Sequence, residues 1–253
     1  MPINYLSRLT DFKRTDRANR HLGRSLAFVA GALNAGGFLA IGQYTSHMTG
    51  FVSSLADNVV RGRVLLLVAA LLSVFSFVLG AITSACLIAH AKQTNKPNIY
   101  SVSLYIEVCL LLLFAVAGSR LQAHQLDAIS LTAPLLCYTM GLQNALITKI
   151  SNAEIRTTHL TGLITDIGIG IGTLVAYRGG SKTNEAVVSQ AHKALRIHLS
   201  LTLAFVCGAF VGAFGFKYIG FAFTLPLALI VAALAAAPSL RQPSADKVVS
   251  LNL

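Results

Sequence analysis

Two polar hexapeptides of nearly identical sequence, TSHMTG at 45–50 and TTHLTG at 157–162, interrupt the apolar stretches of this 253-residue chain. Each brings three hydroxyl groups, one imidazole and one glycine into a single short segment. Hydroxyl groups donate and accept hydrogen bonds, and histidine changes its charge near neutral pH. If each hexapeptide opens a helix, the free N–H groups of the first turn also favour an anion. The two copies together predict a small polar chamber for a polar or anionic solute.

Two amides precede the hexapeptides in matching short motifs, GALNA at 31–35 and GLQNA at 141–145. An unpaired amide inside an apolar segment costs about 2 kcal/mol or more, so Asn34 and Asn144 need hydrogen-bonding partners. The partner can be another helix or a bound solute. We therefore predict a substrate-binding site made of eight polar side chains: Asn34, Ser46, His47, Thr49, Asn144, Thr158, His159 and Thr161.

Three carboxylates lie in or beside apolar stretches and are candidates for a proton relay: Asp57, Glu107 and Asp166. Ionisable groups at membrane depth are costly, and they usually face a bundle interior or a water-filled pathway. Asp166 follows His159 by seven residues, which places both on one face of a helix. For Glu107, a hydrated position near the membrane surface is an equally good interpretation.

The same hexapeptides also have purely structural interpretations. Thr45 and Thr157 are suitable N-caps, because threonine side chains accept hydrogen bonds from the first free N–H groups of a helix. The two glycines permit close helix crossing. The four cysteines have no paired or metal-like spacing. We therefore assign no catalytic residue, no metal ligand and no cofactor.

The composition is that of a membrane protein. Apolar residues make up 55% of the chain and charged residues only 11%, less than half the usual share of a soluble domain. The runs 64–89, 199–216 and 218–240 contain no charged residue. Because roughly 20 apolar residues cross the hydrocarbon core of a bilayer, each run predicts a transmembrane helix. The chain is therefore predicted to pass the lipid bilayer several times.

The net charge of +11 is placed in a way that indicates membrane orientation rather than binding of nucleic acid. Six basic residues precede the first apolar span: Arg8, Lys13, Arg14, Arg17, Arg20 and Arg24. Basic residues beside a span are retained on the cytoplasmic side, so we predict a cytoplasmic N-terminus. The N-terminal segment lacks the short apolar core and small-residue cleavage site of a cleavable signal peptide.

Eight apolar segments are separated by short polar joints and by one longer polar loop, predicted at 177–196. The segments lie near 24–44, 46–60, 64–90, 99–118, 127–148, 157–177, 197–216 and 218–238. The paired motifs divide the chain into a basic N-terminal segment at 1–23, membrane repeats at 24–120 and 127–240, and a polar tail at 241–253. The predicted fold class is all-α, a polytopic transmembrane helix bundle of two pseudo-symmetric repeats with about six to eight spanning helices.

The direction of the second half is left open by the sequence. If 46–60 and 157–177 both span the membrane, the halves are parallel repeats. If both segments are re-entrant, six spans remain and the halves are inverted. Both topologies place a similar excess of basic residues on the cytoplasmic side of the membrane, so the charge distribution does not distinguish them. We slightly favour eight spanning helices, although 46–60 is short for a span.

The motif pairs resemble a known family. AGALNAGGF with SHMTG, and MGLQNA with RTTHLTG and a following TD.G, are similar to the YoaK-like family of uncharacterised multi-pass bacterial membrane proteins. The resemblance covers about 24–237. It implies a bacterial inner-membrane location. One departure is Phe51, which stands where the family pattern has asparagine.

We interpret the chain first as a permease for a small polar or anionic solute, linked to protons through His47, His159 and Asp166. Duplicated halves are common in secondary transporters, whose sites lie where the halves meet. An alternative is an intramembrane enzyme in which the two histidines and an aspartate form a metal or acid–base site. A third is a structural or partner-binding membrane protein. Self-association into a homo-oligomer is left open.

Overall fold

A computed structural model describes residues 16–94, 100–121, 125–151, 155, 157–177 and 185–236, with the side chains of 16–18, 41, 119–121 and 125–131 excepted. Within these residues the chain forms eight α-helices and a 3₁₀ turn at Gly220–Phe223. The helices are α1 Asp16–Ile41, α2 Met48–Val60, α3 Val64–Gln93, α4 Ser101–Leu121, α5 Gln125–Ile150, α6 Leu160–Ala176, α7 Glu185–Ile219 and α8 Thr224–Ala236.

Each of the eight predicted apolar segments is a helix, but α7 begins well before its predicted start. The predicted polar loop at 177–196 is helical from Glu185 onward. The side chain of Leu195 lies against Gly170 of α6, and Ile197 is buried. This packing stabilises the extra turns, because one face of the polar-looking segment is covered. The predicted tail at 241–253 and residues 1–15 lie outside the described residues.

The helices form a bundle that passes the membrane several times. Four described stretches are long and apolar enough to cross a bilayer: Asn19–Ala40, Val64–Gln93, Ser101–Gly118, and Glu185–Ala236, which contains both α7 and α8. Helix α3 exposes large apolar side chains such as Leu65 and Phe75, at 77% and 60%. Such a surface is unfavourable in water and suits lipid. The prediction of an all-α polytopic membrane bundle is confirmed.

Two helix pairs approach each other at backbone distance, and each pair joins one half of the chain to the other. Helix α1 packs on α7, where Gly31 contacts the Phe205 carbonyl and Gly208 contacts the Phe28 carbonyl. Helix α3 packs on α5, where Gly80 contacts the Tyr138 carbonyl and Gly141 contacts the Phe77 carbonyl. Small residues allow this close packing in membrane helices. Neither half can therefore form its main helix contacts alone.

Helices α1 and α5 cross in opposite directions. The Gln143 side chain donates a hydrogen bond from Nε2 to the Leu26 carbonyl, at 2.7 Å. Further along α1, Gly37 lies against Leu136, which precedes Gln143 in α5. Contacts that advance along α1 therefore move backward along α5. Helices α1 and α5 are the first helices of the two halves. Their opposite directions are expected if the two halves are inverted repeats.

Helix α2 is too short to span a bilayer. Its 13 residues extend about 20 Å, and roughly 20 residues are needed to cross. It folds back on α3 after a turn in which Gly62 has a φ of 64°, so Phe51 packs against Ala70. The start of α2 meets Phe77, near the middle of α3. In the first half, the structure therefore does not support the slight preference for eight spanning helices. Helix α2 has the length and position expected of a re-entrant helix.

Candidate binding cavity

A cavity of about 640 Å³, which we call the central cavity, lies where the starts of α2 and α6 meet α1, α3, α5 and α7. All eight side chains predicted to form a substrate-binding site line it. Six further residues complete the described lining: Tyr44, Met48, Phe77, Thr148, Leu160 and Phe205. The two hexapeptides, which lie more than one hundred residues apart in sequence, are therefore brought to one place.

The lining consists largely of residues at matching positions in the two halves. The matched pairs are Asn34 with Asn144, Ser46 with Thr158, His47 with His159, Met48 with Leu160, Thr49 with Thr161, and Phe77 with Phe205. The two phenylalanines were missed by the sequence analysis. The signal was present, because SFVLG at 76–80 and AFVCG at 204–208 align without a gap. Tyr44 and Thr148 have no match in the lining.

Each histidine stands at the start of its helix. His47 and His159 are the N-cap residues of α2 and α6, and neither side chain makes a capping hydrogen bond. Helix geometry leaves the N–H groups of the first turn without intrahelical partners. These donors therefore remain available beside the cavity. The prediction that Thr45 or Thr157 caps a helix is wrong, because each threonine precedes the N-cap histidine by two residues. Both threonines are fully buried, and their Oγ1 atoms lack partners among the described residues.

The glycine of each hexapeptide makes room for the imidazole of the same hexapeptide. A Cβ atom on Gly50 would overlap the His47 ring, and one on Gly162 would overlap the His159 ring. Each ring therefore lies across the first turn of its own helix. This contact explains the spacing of histidine and glycine better than the sequence interpretation, in which the glycine admits another helix.

We expect Gly162→Ala to displace the His159 imidazole and to lower solute binding, because the added methyl group overlaps the ring. Gly168→Ala is the matched control on the same helix, since a Cβ there meets no atom within 4 Å. Alanine also favours a helix over glycine by up to about 1 kcal/mol, so the control will not lose stability. Solute flux and thermal unfolding of both variants test this. Equal flux in the two variants would contradict the positioning role of Gly162.

The two asparagines differ in their hydrogen bonds. Asn34 Oδ1 accepts from the Ser46 N–H at 3.0 Å and from the Ser46 hydroxyl at 2.9 Å. Asn144 Oδ1 is buried and has no partner among the described residues. A buried acceptor without a partner costs about 1–3 kcal/mol. Asn34 therefore holds the first hexapeptide in place, whereas Asn144 lines the cavity and carries a buried oxygen that has no such role.

None of the three proton-relay candidates lines the cavity. Asp57 is exposed near the end of α2. Asp166 is half exposed on α6, and its Oδ2 lies 3.9 Å from Nε2 of His198 on α7. Glu107 is fully buried in α4, and neither of its carboxylate oxygens has a partner among the described residues. The relay role of these three residues stays a prediction.

Phe51, at the position where the resemblance implied asparagine, does not line the central cavity. It is 8% exposed and packs with Ala70 and Cys137 in a small apolar cluster. Its counterpart in the second half, Leu163, is also apolar and buried. The apolar side chain at position 51 therefore belongs to the contact between α2 and its neighbours.

Comparison with known proteins supports the family resemblance found in the sequence motifs. The model of the family described as "Protein of unknown function (DUF1275)" matches residues 22–237. The chain is also similar to the UPF0700 transmembrane protein YoaK of Bacillus subtilis (strain 168), with 23% identity over 159 residues, covering 62% of this chain and 69% of that protein. No solved structure matches. The resemblance found in the motifs is confirmed, and the chain belongs to the DUF1275 family of membrane proteins.

Proposed function

We propose that the cavity is the solute site of a permease built from two inverted repeats. The observation that carries this proposal is the set of six matched residue pairs that meet at one cavity. Secondary transporters with inverted repeats place their substrate site at the repeat interface, beside the ends of broken or re-entrant helices. Helices α2 and α6 both begin at the cavity, and α1 and α5 cross in opposite directions.

The lining supports a small polar or anionic solute. Its described residues include no Asp, Glu, Lys or Arg, and its polar groups are amides, hydroxyls and imidazoles. The Asn144 side chain lines the cavity, and its rotation would turn the unpartnered Oδ1 atom towards a hydroxyl or amine donor of the solute. The first turns of α2 and α6 offer N–H donors and the positive ends of two helix dipoles to a negatively charged group. A solute with both a donor and an anionic group would use both features.

Proton coupling is part of this proposal. His47 and His159 line the cavity, and an imidazole nitrogen can accept and release a proton. A proton on either ring would strengthen binding of an anion in the cavity. The basic N-terminal segment supports a cytoplasmic N-terminus, and we place the protein in the bacterial inner membrane.

The intramembrane enzyme has less support in this geometry. It needs a carboxylate beside His47 and His159, and neither Asp57 nor Asp166 lines the cavity. The structural alternative predicts that His159→Ala lowers thermal stability without changing any response to a solute. The permease predicts that His159→Ala weakens the response to a solute and leaves thermal stability nearly unchanged, because the His159 ring makes no capping hydrogen bond.

Uptake into proteoliposomes tests the proposal. The panel contains inorganic phosphate, sulfate, small carboxylates, amino acids and small polyols, each with and without an inward proton gradient. We expect saturable uptake of at least one solute by the full chain, and Asn144→Ala should need a higher solute concentration for the same uptake. A thermal-unfolding measurement first shows that the reconstituted protein is folded. Uptake at background for every solute by such protein would refute the permease.

A further inference from the structure

A second cavity, of about 480 Å³, lies between the first turns of α1 and the first half of α7. Four of its lining residues are permanent cations, and a histidine and two serines accompany them: Arg20, Arg24, Lys193, Arg196, His192, Ser189 and Ser200. We call this cavity the basic pocket. Its described lining contains no Asp or Glu. It shares no residue with the central cavity.

The fold holds the positive charges of the basic pocket together. Helices α1 and α7 run side by side in the same direction, since Gly23 meets Leu201 and Gly36 meets Phe216. Their backbone contacts leave little freedom to separate the two N-terminal ends. The Arg24 side chain is further fixed by a hydrogen bond from Nε to the Arg20 carbonyl, at 3.2 Å. Several like charges held in one cavity repel each other unless an anion neutralises them.

Charged residues give way to apolar residues at the basic pocket in both of its helices. The first spanning stretch begins at Asn19, next to Arg20. On α7, the charge-free run begins at Leu199, just after Arg196. Both helices therefore change from charged to apolar at the pocket. Lipid phosphates lie at this boundary, and basic pockets between membrane helices bind anionic head groups.

We propose that the basic pocket binds a phosphate-bearing anion, either the head group of an anionic lipid or a free phosphate compound. Guanidinium groups match phosphate oxygens through paired N–H donors, and the two arginines of α1 and Arg196 of α7 supply such groups from both sides. Ser189 and Ser200 add hydroxyl donors. Bound phosphate would join α1 to α7 at the end that we place in the cytoplasm. This site is independent of the permease proposal, because the two cavities share no residue.

The test compares Lys193→Gln/Arg196→Gln with the control Arg61→Gln/Arg63→Gln. Both variants remove two exposed basic side chains, and the control residues lie in the turn between α2 and α3, outside the basic pocket. Native mass spectrometry of the full chain measures binding of phosphatidylglycerol against phosphatidylcholine. Calorimetry in phosphatidylcholine nanodiscs measures binding of pyrophosphate. Thermal unfolding shows that each variant is folded, and Arg24→Gln provides a second pocket variant.

We expect the pocket variant to weaken binding roughly 30-fold, and the control to keep the affinity of the unaltered chain. Weaker phosphatidylglycerol binding in the pocket variant alone supports a lipid head group. Weaker pyrophosphate binding in the pocket variant alone supports a free phosphate compound. If neither ligand distinguishes the pocket variants from the control, the proposal is overturned.

Discussion

Asn34→Ala will destabilise the protein, whereas Asn144→Ala will leave its stability nearly unchanged and will reduce solute binding. Asn34 Oδ1 accepts two hydrogen bonds from Ser46, so its removal leaves a backbone N–H and a hydroxyl without their acceptor. The expected loss is about 1–3 kcal/mol in the free energy of unfolding. Asn144 Oδ1 has no partner among the described residues, so Asn144→Ala removes no hydrogen bond made by that oxygen.

The two asparagines are matched controls for each other, because they occupy equivalent positions in GALNA and GLQNA. Thermal unfolding in detergent measures stability, and uptake by proteoliposomes measures function. For Asn144→Ala we expect roughly tenfold weaker solute binding, the value of one lost hydrogen bond. Equal destabilisation by the two substitutions would show that Asn144 is a structural residue and would remove it from the proposed site.

Gly208→Ala is expected to destabilise the protein strongly, by separating α1 from α7. A Cβ atom at this position overlaps the Phe28 carbonyl of α1, and both groups belong to helix backbones that cannot move aside independently. Overpacking of this kind costs about 1–3 kcal/mol. Gly80→Ala overlaps the Tyr138 carbonyl in the same way, and it should destabilise the α3–α5 pair by a similar amount.

The control for these glycines is Gly172→Ala on α6, where an added Cβ meets no atom within 4 Å. It should unfold at the temperature of the unaltered chain or slightly above it, because alanine favours the helix. Thermal unfolding of the three purified variants measures the difference. If Gly208→Ala and Gly172→Ala unfold at the same temperature, the backbone contact between α1 and α7 does not contribute as described.

The helices could be predicted from sequence because their signal is local. Charge-free runs such as 64–89 are long enough to specify a span by themselves. The beginning of α7 could not be predicted in this way, because residues 185–196 form no apolar run. The contact of Leu195 with Gly170, which packs part of this segment on α6, joins residues far apart in sequence.

The eight predicted polar residues of the central cavity could be found from sequence because similar motifs occupy equivalent positions in the two halves. The direction of the second half could not, since counts of basic residues were nearly the same for both topologies. It depends on contacts such as that between Gln143 and Leu26, which lie far apart in sequence. The partner of Asp166 was missed for the same reason, because His198 approaches it from another helix.

The central claim is that both hexapeptides face one water-filled site. Labelling of His47→Cys and His159→Cys with membrane-impermeant thiol reagents tests it most directly, in a chain from which Cys86, Cys109, Cys137 and Cys207 have been replaced. We expect that reagents added from the two membrane sides reach both positions, and that pH or a transported solute changes the labelling rate. Absence of labelling at both positions from either side would contradict it and would leave the hexapeptides as packed structural elements.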